Sequence, residues 1–528
     1  MLTLEKIHSQ SYRVTAPRGK AKDRDYIFKS LFWKHSKHVE GYIFAQAFRD
    51  GRWNGKQNNF SATNIRAGFL RETIETLNQS GEQWTWKDEE KTNEDIIDFE
   101  EFKLFCTTLI KTINPSYKKK HGFELAIRDY QINTAYKAVT ESIGIVEHAT
   151  GAGKSLTIAF VIGYLFHTKR IGKLTIMIPR QQLITQFKND LLDFGFSKDI
   201  IGVLFGKKKE TEKPITIATY QTLSKLIDTS TGKYFFESQD ALIYDEVHTA
   251  SSKSGTNATL EFKNSKYFFG FTGTLPENEL DRDVIHSLFG DVLDSRKLKE
   301  LNEEYDAVTK VKVGMLEFNY GRKSAMDKIK RGVSQMGWLD EVAFLHDDDE
   351  FRNRYILNTI WKTQKLKKNI VVLVKNIAYG EKIFDKLNGV CDNIFCIFGS
   401  GKESKELEER DKIVEECRKS DENYIIVTNF QIFAVGINIP NIHQLFLIDA
   451  GKSKITVCQS IGRGVRRMND KNEVFILDCY ADLKYSSQHG RKRKKLYEAE
   501  GFQIFEKTIY KDEENEVRDR IKKLKKEK

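Results

Sequence analysis

A seven-residue segment, Ala149-Thr-Gly-Ala-Gly-Lys-Ser155, contains the residue types that hold the phosphates of a nucleotide. Gly151 and Gly153 let backbone N–H groups turn toward phosphate oxygens, and Lys154 can reach the β- and γ-phosphates. The hydroxyl of Ser155 can bind Mg²⁺ where a helix begins, and the positive end of that helix favours an anion. The segment therefore predicts a phosphate-binding loop.

The sequence on either side supports this interpretation. Residues 144–148 form a short apolar run typical of a buried strand, and residues 156–166 have the apolar spacing of a helix that faces a core. Strand, glycine loop and helix is the order that a phosphate loop requires. One position departs from the usual pattern, because His148 stands where a glycine commonly opens the loop. Taken alone, the segment could also be a glycine-rich turn.

Two carboxylates follow another buried run farther along the chain. The apolar residues 241–244 predict a strand, and Asp245-Glu-Val-His248 comes directly after it. A carboxylate at the carboxyl end of such a strand holds Mg²⁺ in phosphate-loop enzymes, which is the role we assign to Asp245. Glu246 beside it can accept a proton from an attacking water, or orient that water.

Arginines near the end of the chain could complete this chemistry. The segment Gln459-Ser-Ile-Gly-Arg-Gly-Val-Arg-Arg467 predicts a helix on which Arg463 and Arg466, three residues apart, share a face. Arginine is planar, permanently charged and multidentate, so it suits the charge that develops on a transferred γ-phosphate. In isolation the run is better explained as a solvated basic face. The segment 428–440 upstream of it, which contains Gly436, favours the catalytic interpretation.

The elements that must position these side chains alternate along the chain. Apolar runs typical of strands are separated by helix patterns over residues 123–296, and the alternation begins again over 297–490. Such alternation predicts parallel sheets with helices on both faces. The chain thus contains two similar α/β units, the second without a phosphate loop of its own. A small α+β domain is predicted before them, over residues 1–85.

Composition limits the function classes. The 528 residues include 86 Lys and Arg against 75 Asp and Glu, which gives a net charge of +11 and a pI near 9.0. This excess suits a polyanionic partner, although many soluble proteins are as basic. The mean hydropathy is −0.51 and no apolar run approaches about 18 residues, so no membrane span is expected. Six scattered cysteines without a C-x-x-C pair indicate neither a zinc site nor a disulfide framework, and we expect core thiols in a cytoplasmic protein.

The first 80 residues are especially basic, with 14 Lys and Arg against 7 Asp and Glu. Aromatic residues are interleaved with these charges, and a tight turn over 49–56 carries Arg52 and Trp53. Bases can stack on exposed rings while basic side chains follow phosphates, which predicts nucleic-acid binding. The alternative for most of the aromatics is that they form the core of this small domain. An acidic stretch over 82–101 then indicates a boundary near residues 85–95.

Together these segments resemble the motifs of superfamily-2 DExH helicases. Seven or more segments occur in the family's order over residues 123–480, which makes the resemblance specific. The matching segments are Arg128-Asp-Tyr-Gln131, Ala149–Ser155, Pro179-Arg-Gln-Gln-Leu183, Ala218-Thr-Tyr-Gln-Thr222, Asp245–His248, Phe271-Thr-Gly-Thr274, Thr428–Pro440 and Gln459–Arg466. Within the superfamily the chain is most similar to phage recombination helicases, on three shorter signals. These are a Gly-x-Trp-x-Gly turn at Gly51–Gly55, the run Gly451-Lys-Ser-Lys-Ile455 and a strand that ends in Asp478.

The resemblance implies an ATP-dependent DNA helicase that uses ATP and Mg²⁺, with an α/β fold of two tandem RecA-like domains behind the small N-terminal domain. The implied catalytic residues are Lys154, Asp245, Glu246, Gln459, Arg463 and Arg466. Those implied to hold the nucleotide are Arg128, Gln131, Thr150, Gly151, Gly153, Lys154, Ser155 and Gly436, and those for Mg²⁺ are Ser155 and Asp245. Those implied to contact nucleic acid are Arg180, Thr219, Gln221 and Thr428. The basic turn predicts the same for Arg52 and Trp53. The charge run over 490–495 predicts it for Arg491, Lys492 and Arg493, although such a run can also be a solvated surface.

We therefore predict five regions, namely an accessory DNA-binding domain over 1–85, a connector helix over 86–122, the ATP-binding domain over 123–296, the arginine-finger domain over 297–490 and a basic tail over 491–528. The predicted function is remodelling of branched DNA in phage recombination, repair and replication, by fork regression, Holliday-junction branch migration or R-loop unwinding. Predicted partners are single-stranded and branched duplex DNA, RNA–DNA hybrids, and a single-strand-binding or recombination protein. The place of action is the cytoplasm of the phage's bacterial host. Two alternatives stay open: a duplex-DNA translocase or nucleic-acid sensor that does not separate strands, and an RNA helicase.

Overall fold

The structure is a computed structural model. It describes residues 2–8, 11–17, 19–38, 56–86, 96–206, 208–297, 299–301, 310–320, 337–398, 412–417, 423–435, 442–448, 450–451 and 473–510. The chain divides into two compact units, the first comprising Met1–Ala149 and Gly153–Arg296 and the second Thr150–Ala152 and Lys297–Lys528. Within the described ranges, no helix is both long enough and apolar enough to cross a membrane.

The N-terminal domain, which opens the first unit, is an α+β fold, as the sequence predicts. Its strands are β1 Leu2–His8, β2 Ser11–Thr15, β3 Ser36–His38, β4 Lys56–Asn58, β5 Ile65–Arg66 and β6 Trp84–Trp86. Its helices are α1 Ala21–Ile27, α2 Lys29–Lys34 and α3 Leu70–Gln79. Four strands form a sheet of order β5-β2-β1-β6, and β3 pairs with β4 separately. Because β6 pairs with β1, the N-terminal sheet extends to residue 86.

The rest of the first unit is built on an eight-stranded sheet. Its strands are β7 Ile143–His148, β8 Leu174–Ile178, β9 Ile201–Phe205, β10 Lys208–Lys209, β11 Ile215–Thr219, β12 Ala241–Asp245, β13 Tyr267–Thr272 and β14 Val292–Arg296. Its helices are α4 Phe99–His121, α5 Asp129–Glu141, α6 Lys154–His167, α7 Gln181–Asp193, α8 Tyr220–Ser224, α9 Ser230–Glu237, α10 Lys253–Leu260 and α11 Glu279–Phe289. The strand order is β10-β9-β11-β8-β12-β13-β7-β14, and every pair except β10 with β9 is parallel.

Both faces of this sheet are covered by apolar residues. Successive side chains of a strand point to opposite faces, and Ile176 belongs to one hydrophobic cluster while Met177 belongs to another. This is why the strands read as continuous apolar runs in the sequence, as expected for parallel sheets. The predicted parallel α/β architecture is confirmed here.

Helix α4 is part of the core, which corrects the predicted role of residues 86–122 as a connector. The helix continues through Pro115 to His121 and ends at Gly122, whose left-handed backbone forms the C-cap. Phe102 and Ile110 are buried in the same hydrophobic cluster as the sheet. The helix therefore stabilises the ATP-binding part of the unit and does not merely link two domains.

The N-terminal domain packs against α11 through buried polar groups. His35 is buried, and its Nδ1 is hydrogen-bonded to the carboxylate of Asp283 while its Nε2 lies 2.9 Å from Oε2 of Glu72. Asn59 Nδ2 donates to the other oxygen of Asp283 at 2.7 Å. Lys34 also contacts Glu72, at 2.9 Å. The domain is thus joined to the ATP-binding part by the buried contacts of His35 and Asn59 with Asp283.

We expect this interface to weaken above neutral pH. Burial alone would lower the pKa of His35, but its hydrogen bonds to Asp283 and Glu72 outweigh that effect and raise the pKa. A raised folded-state pKa contributes stability that is complete below the unfolded value of about 6.5 and is lost as the pH rises through the folded value. The thermal unfolding temperature of the first unit should therefore decrease as the pH rises above about 6.5.

Two histidine variants provide the test and the control for this prediction. His35→Gln should remove most of the pH dependence above neutrality, whereas His167→Gln, a change at an exposed histidine of the same unit, should retain it. The neighbouring groups do not reverse the sign. Burial favours a higher pKa for Glu72, but its contacts with His286, His35 and Lys34 lower that pKa, so the contribution of Glu72 to stability is lost only in acid. Identical pH profiles for wild type and His35→Gln would contradict the prediction.

The second unit contains a seven-stranded parallel sheet. Its strands are β15 Lys310–Asn319, β16 Ile370–Val374, β17 Ile394–Ile397, β18 Ile425–Asn429, β19 Gln444–Leu447, β20 Glu473–Ala481 and β21 Gln503–Tyr510. Its helices include α12 Trp338–Ala343, α13 Glu350–Gln364, α14 Ile377–Asn388, α15 Phe430–Val435 and α16 Lys484–Ala499. The order is β17-β18-β16-β19-β20-β15-β21. Apolar runs in the sequence predict five of these strands, β16 to β20, over residues 370–374, 394–398, 424–427, 445–448 and 474–477, whereas the sequence did not predict β15 and β21.

The predicted basic tail is wrong for the part that is described. Helix α16 and strand β21 belong to the second unit, since β21 pairs in parallel with β15. Arg493 is only 2% exposed, and its Nε and Nη2 each donate to a different oxygen of Asp478 at 2.7 Å. Its Nη1 donates to the carbonyl oxygen of Ala450 at 2.6 Å. Arg493 therefore cannot reach nucleic-acid phosphates, whereas Arg491 and Lys492 are exposed on the same helix.

Loss of Arg493 should destabilise the second unit strongly. Arg493→Ala leaves the buried carboxylate of Asp478 without its cation, which costs about 3–5 kcal/mol in comparable buried pairs. The matched variant Arg491→Ala removes an exposed arginine two residues away and should change the free energy of unfolding by no more than about 0.5 kcal/mol. Denaturant unfolding of both variants measures the difference, and equal effects would show that the pair contributes nothing.

Candidate nucleotide-binding site

The predicted phosphate loop joins β7 to α6. Thr150 follows the strand, and Gly151 and Gly153 then have φ angles of 94° and 81°. Residues with a Cβ rarely adopt these angles. A Cβ on Gly153 would also lie 2.3 Å from Nε2 of Gln131. The turn thus requires glycine, and it places the first N–H groups of α6, which lack helical partners, at the loop.

Lys154 and Ser155 occupy the first turn of α6. The Nζ of Lys154 donates to the carbonyl oxygen of His148 at 3.3 Å, so the side chain lies back over its own loop. A neutral carbonyl binds an ammonium group less strongly than a phosphate oxygen does. The lysine can therefore exchange this bond for the phosphates of a nucleotide.

Arg128 and Gln131, which the resemblance assigns to the nucleotide, lie beside the phosphate loop, and the side-chain amide of Gln131 is already hydrogen-bonded there. Its Oε1 accepts the backbone N–H of Arg128 at 3.0 Å, and its Nε2 donates to the carbonyl oxygen of Gly153 at 3.4 Å. The side chain is almost fully buried. In this structure Gln131 supports the start of α5 and the phosphate loop, and it does not present a free amide to an adenine.

The two predicted acidic residues stand at the carboxyl end of β12. Burial, together with the charge of Glu246, raises the pKa of Asp245 to about 7, and Lys154 opposes the shift. Glu246 has a left-handed backbone, with φ 59° and ψ 51°. This conformation costs a residue with a Cβ roughly 1–2 kcal/mol, and such strain concentrates at functional sites. The backbone is held there in part by Thr249 Oγ1, which donates to the carbonyl oxygen of Glu246 at 3.0 Å.

Asp245 and Ser155 are a donor set that fits Mg²⁺. Mg²⁺ binds carboxylate and hydroxyl oxygens, and usually takes its remaining ligands from phosphates and water. Asp245 lies partly buried beside a second carboxylate, an arrangement that a divalent cation stabilises. Among the residues that the structure describes, no group of three or more His, Cys, Asp or Glu side chains could hold a metal alone. These features fit an ion shared with a nucleotide.

His248 connects the acidic residues to the neighbouring strand. Its Nδ1 lies 3.0 Å from Thr272 Oγ1 at the end of β13 and 3.3 Å from Oε2 of Glu246. The Thr272 hydroxyl donates to the carbonyl oxygen of Thr274, so Nδ1 is the donor toward it. The sequence contains both segments, but this contact between them is visible only in the structure.

His148 has a structural role that a glycine could not fill. It is fully buried, and its Nε2 lies 2.7 Å from Oδ2 of Asp294 on β14. Thr134 donates its hydroxyl to the same carboxylate oxygen at 2.8 Å. Burial lowers the pKa of His148 despite this carboxylate. The contact ties the start of the phosphate loop to the last strand of the sheet, and the sequence could not reveal it because the partner is 146 residues away.

Three of the predicted nucleic-acid residues, Arg180, Thr219 and Gln221, lie at or just beyond the carboxyl ends of β8 and β11, which are adjacent strands. Arg180 and Gln221 are exposed there, and Gln221 Nε2 donates to the carbonyl oxygen of Pro179 at 3.1 Å. Thr219 is buried, and its hydroxyl accepts the backbone N–H of Thr222 at 3.3 Å as the cap of α8. Arg180 and Gln221 are thus available to a ligand, whereas Thr219 supports the helix.

In the second unit the side chain of Thr428 is fully buried and donates to the carbonyl oxygen of Ile397 at 2.7 Å. Its predicted contact with a phosphate is therefore wrong for this conformation, because neither its surface nor its hydroxyl proton is available. The remaining predicted site residues lie outside the described residues. They are Arg52, Trp53, Gly436, Gln459, Arg463 and Arg466.

Two protein-family descriptions match the chain. "Type III restriction enzyme, res subunit" matches residues 124–277, and "Helicase conserved C-terminal domain" matches residues 352–468. Together they match just over half of the chain. The first includes the phosphate loop and the acidic residues, and the second includes the arginine segment.

Relatives and solved structures agree with these matches. The ATP-dependent DNA helicase uvsW of Enterobacteria phage T4 is 24% identical over 501 residues, which cover 90% of this chain and 94% of the relative. The DNA 3'-5' translocase XPB2 of Sulfurisphaera tokodaii is 24% identical over 479 residues, covering 83% and 95%. A structure of Mss116p bound to single-stranded RNA and AMP-PNP aligns with a TM-score of 0.53 at 15% identity, over 80% of this chain and 81% of that one. The last likeness concerns the fold alone.

The first family match spans strands β7 to β13 and the second spans β16 to β19. The first sheet also positions the loop, lysine and carboxylates that ATP hydrolysis requires. The chain therefore belongs to the superfamily-2 helicases, as an ATP-dependent helicase with two tandem RecA-like domains.

Proposed function

We propose that this helicase is a DNA motor that uses ATP hydrolysis to remodel branched DNA. The observation that carries the proposal is the contact of His248 with both Glu246 and Thr272. This contact joins Glu246, the residue suited to activate water, to the end of β13. That end lies at the carboxyl edge of the sheet, where Arg180 and Gln221 are also exposed. A change at the nucleotide can thus be passed to a strand held at that edge.

The residues of this chain have separate tasks in the hydrolysis that we propose. The loop N–H groups and Lys154 bind the β- and γ-phosphates, and Glu246 orients the attacking water and accepts its proton. Ser155 and Asp245 would hold Mg²⁺, which neutralises charge on the phosphates when it is bound. Arg463 and Arg466 remain our candidates for the charge on the γ-phosphate in the transition state.

The grip on the strand is proposed to be independent of base sequence. Arg180 offers a charge and Gln221 an amide at the edge of the sheet, and both suit phosphate oxygens. Phosphate contacts position a protein on nucleic acid without reading its bases, and they make the affinity fall steeply with salt. The basic excess of the N-terminal domain adds to this attraction.

DNA, and branched DNA in particular, is the substrate we favour. The names of the phage T4 and Sulfurisphaera relatives both specify DNA. The N-terminal domain is joined to the ATP-binding part through the His35 contacts, so it can hold duplex DNA or a DNA branch point beside that part. Fork regression, branch migration and R-loop unwinding in phage recombination are the activities proposed, in the cytoplasm of a bacterial host. A single-strand-binding or recombination protein is the proposed protein partner.

A second candidate is a duplex-DNA translocase that does not separate strands. It is favoured by the match to a restriction-enzyme subunit family over 124–277 and by the translocase named among the relatives. The first candidate predicts strand exchange or unwinding as the product of ATP turnover. The second predicts movement along an intact duplex.

One experiment separates the two candidates. ATP turnover and product formation are measured on single-stranded DNA, forks, four-way junctions, RNA–DNA hybrids and a linear duplex that carries a third strand as a roadblock. Conversion of forks or junctions in an ATP-dependent manner supports the first candidate. Displacement of the third strand without any conversion of forks or junctions supports the second, and turnover stimulated only by RNA would overturn both.

A further inference from the structure

Helices α1 and α2 form nearly one helical run with a buried and an exposed side. The N–H groups of Phe28 and Phe32 donate to the carbonyl oxygens four residues earlier, at 3.2 and 3.0 Å, so the helical path continues across the junction. Phe28, Leu31 and His35 are buried, the first two in the hydrophobic cluster of the N-terminal domain. These residues account for how the run is held in the fold.

The opposite side carries an alternating stripe of basic and aromatic residues, Lys22, Tyr26, Lys29 and Trp33. Their spacing of four, three and four residues places them on one face of a helix. All four are exposed, and Tyr26 and Trp33 expose 76% and 56% of their surface. Large aromatic rings at this exposure add little to folding, because burial is what makes them stabilising.

The surroundings of the stripe favour an anionic partner with flat rings. Two acidic residues precede Tyr26 on α1, and the carboxylate of Asp25 is paired with Arg24 at 2.6 Å, while Asp23 is exposed in the first turn. Phe32, next to Trp33, is also exposed and meets its ring edge to face at 5.9 Å. Tyr26 and Trp33 are seven residues apart, or roughly 10 Å along a helix. That distance suits contacts with different bases of one strand.

We propose that the stripe Lys22, Tyr26, Lys29 and Trp33 binds single-stranded DNA, with bases stacked on the two rings and phosphates held by the two lysines. The proposal rests on the proposed function, since it supplies the motor with a second contact to its strand. Stacked aromatic rings bind single strands with little preference for sequence. A duplex hides its base faces, so the stripe discriminates against intact duplex.

The test uses the full chain, without nucleotide, and an oligothymidylate of about 15 nucleotides, near the upper site size of one single-strand-binding domain. Trp33→Ala and Tyr26→Ala should each weaken binding by about 5- to 100-fold, while affinity for a blunt duplex of equal length stays unchanged. Lys29→Gln should instead reduce the slope of log affinity against log salt by about one. Tyr234→Ala, at a ring that is 64% exposed elsewhere in the first unit, is the matched control and should bind as wild type does.

A spectroscopic readout tests the ring itself. The oligonucleotide should quench tryptophan emission in wild type, and Trp33→Phe should lose the quenched component while keeping most of the affinity. The thermal midpoints of the variants, compared with wild type, show that the domain is folded.

Wild-type affinity in folded Trp33→Ala would overturn the stripe proposal, and the face would then suit a protein partner. The motor assignment would survive that result, because it is tested separately by whether DNA stimulates ATP turnover by the wild-type chain.

Discussion

Lys154→Ala is expected to reduce steady-state ATP turnover by about 10²- to 10³-fold, the usual cost of removing one group that stabilises developing charge. In the structure the ammonium group lies over the phosphate loop and donates to the carbonyl oxygen of His148. The substitution removes the cation that would meet the β- and γ-phosphates and leaves the loop glycines and the acidic residues in place. Turnover should therefore be lost while the fold remains.

DNA binding is the internal control for this variant. Arg180, Gln221 and the stripe on α1 and α2 are separate from Lys154 in the chain, so binding to single-stranded DNA should stay within a few-fold of wild type. Lys198→Ala, an exposed lysine of the same unit, controls for the loss of one positive charge. Substantial turnover by pure, folded Lys154→Ala would contradict the assignment of the phosphate loop.

The second large effect is expected for Glu246→Gln, which should lower the turnover number by about 10²- to 10⁴-fold, the range for loss of a positioned general base. Glutamine keeps an oxygen that can accept a hydrogen bond from His248, but it cannot take a proton from water. ATP binding should be nearly unchanged, because the loop and Asp245 are intact. Single-turnover hydrolysis and equilibrium binding of ATP, measured on the same preparation, separate the two effects.

Glu246→Gly extends this prediction to stability. The left-handed backbone at this position is strained for glutamate and relaxed for glycine, so the variant should be at least as stable as wild type although inactive. Loss of activity with retained or increased stability would show that the strain serves the site. Activity near wild type in either variant would move the proton acceptor to another residue.

Much of the fold could be predicted from the sequence because parallel strands buried on both faces appear as apolar runs. β16, Ile370–Val374, is predicted residue for residue. β15 and β21 were missed because lysine, glutamate and threonine interrupt their apolar residues. Among the described strands, β21 stands at the edge of the sheet with β15 as its one neighbour, so it has less need of a continuous apolar sequence.

At the site, features that depend on neighbouring residues could be predicted, and those that depend on distant partners could not. The loop from Gly151 to Ser155 is recognisable because its chemistry lies within a few residues. The roles of His148 and Arg493 depend on Asp294 and Asp478, and no local pattern reports such pairs. Composition alone also could not separate the exposed ring of Tyr26 from the buried ring of Phe28, although helical spacing does so once the helix is known.

The central claim is that hydrolysis in the first domain is coupled to nucleic acid, and steady-state ATP turnover with and without single-stranded DNA tests it most directly. The contact of His248 with Glu246 and Thr272 predicts turnover that is low without DNA, rises steeply with it and becomes nearly insensitive to DNA in folded His248→Ala. Turnover that is the same with and without DNA in the wild-type chain would contradict it.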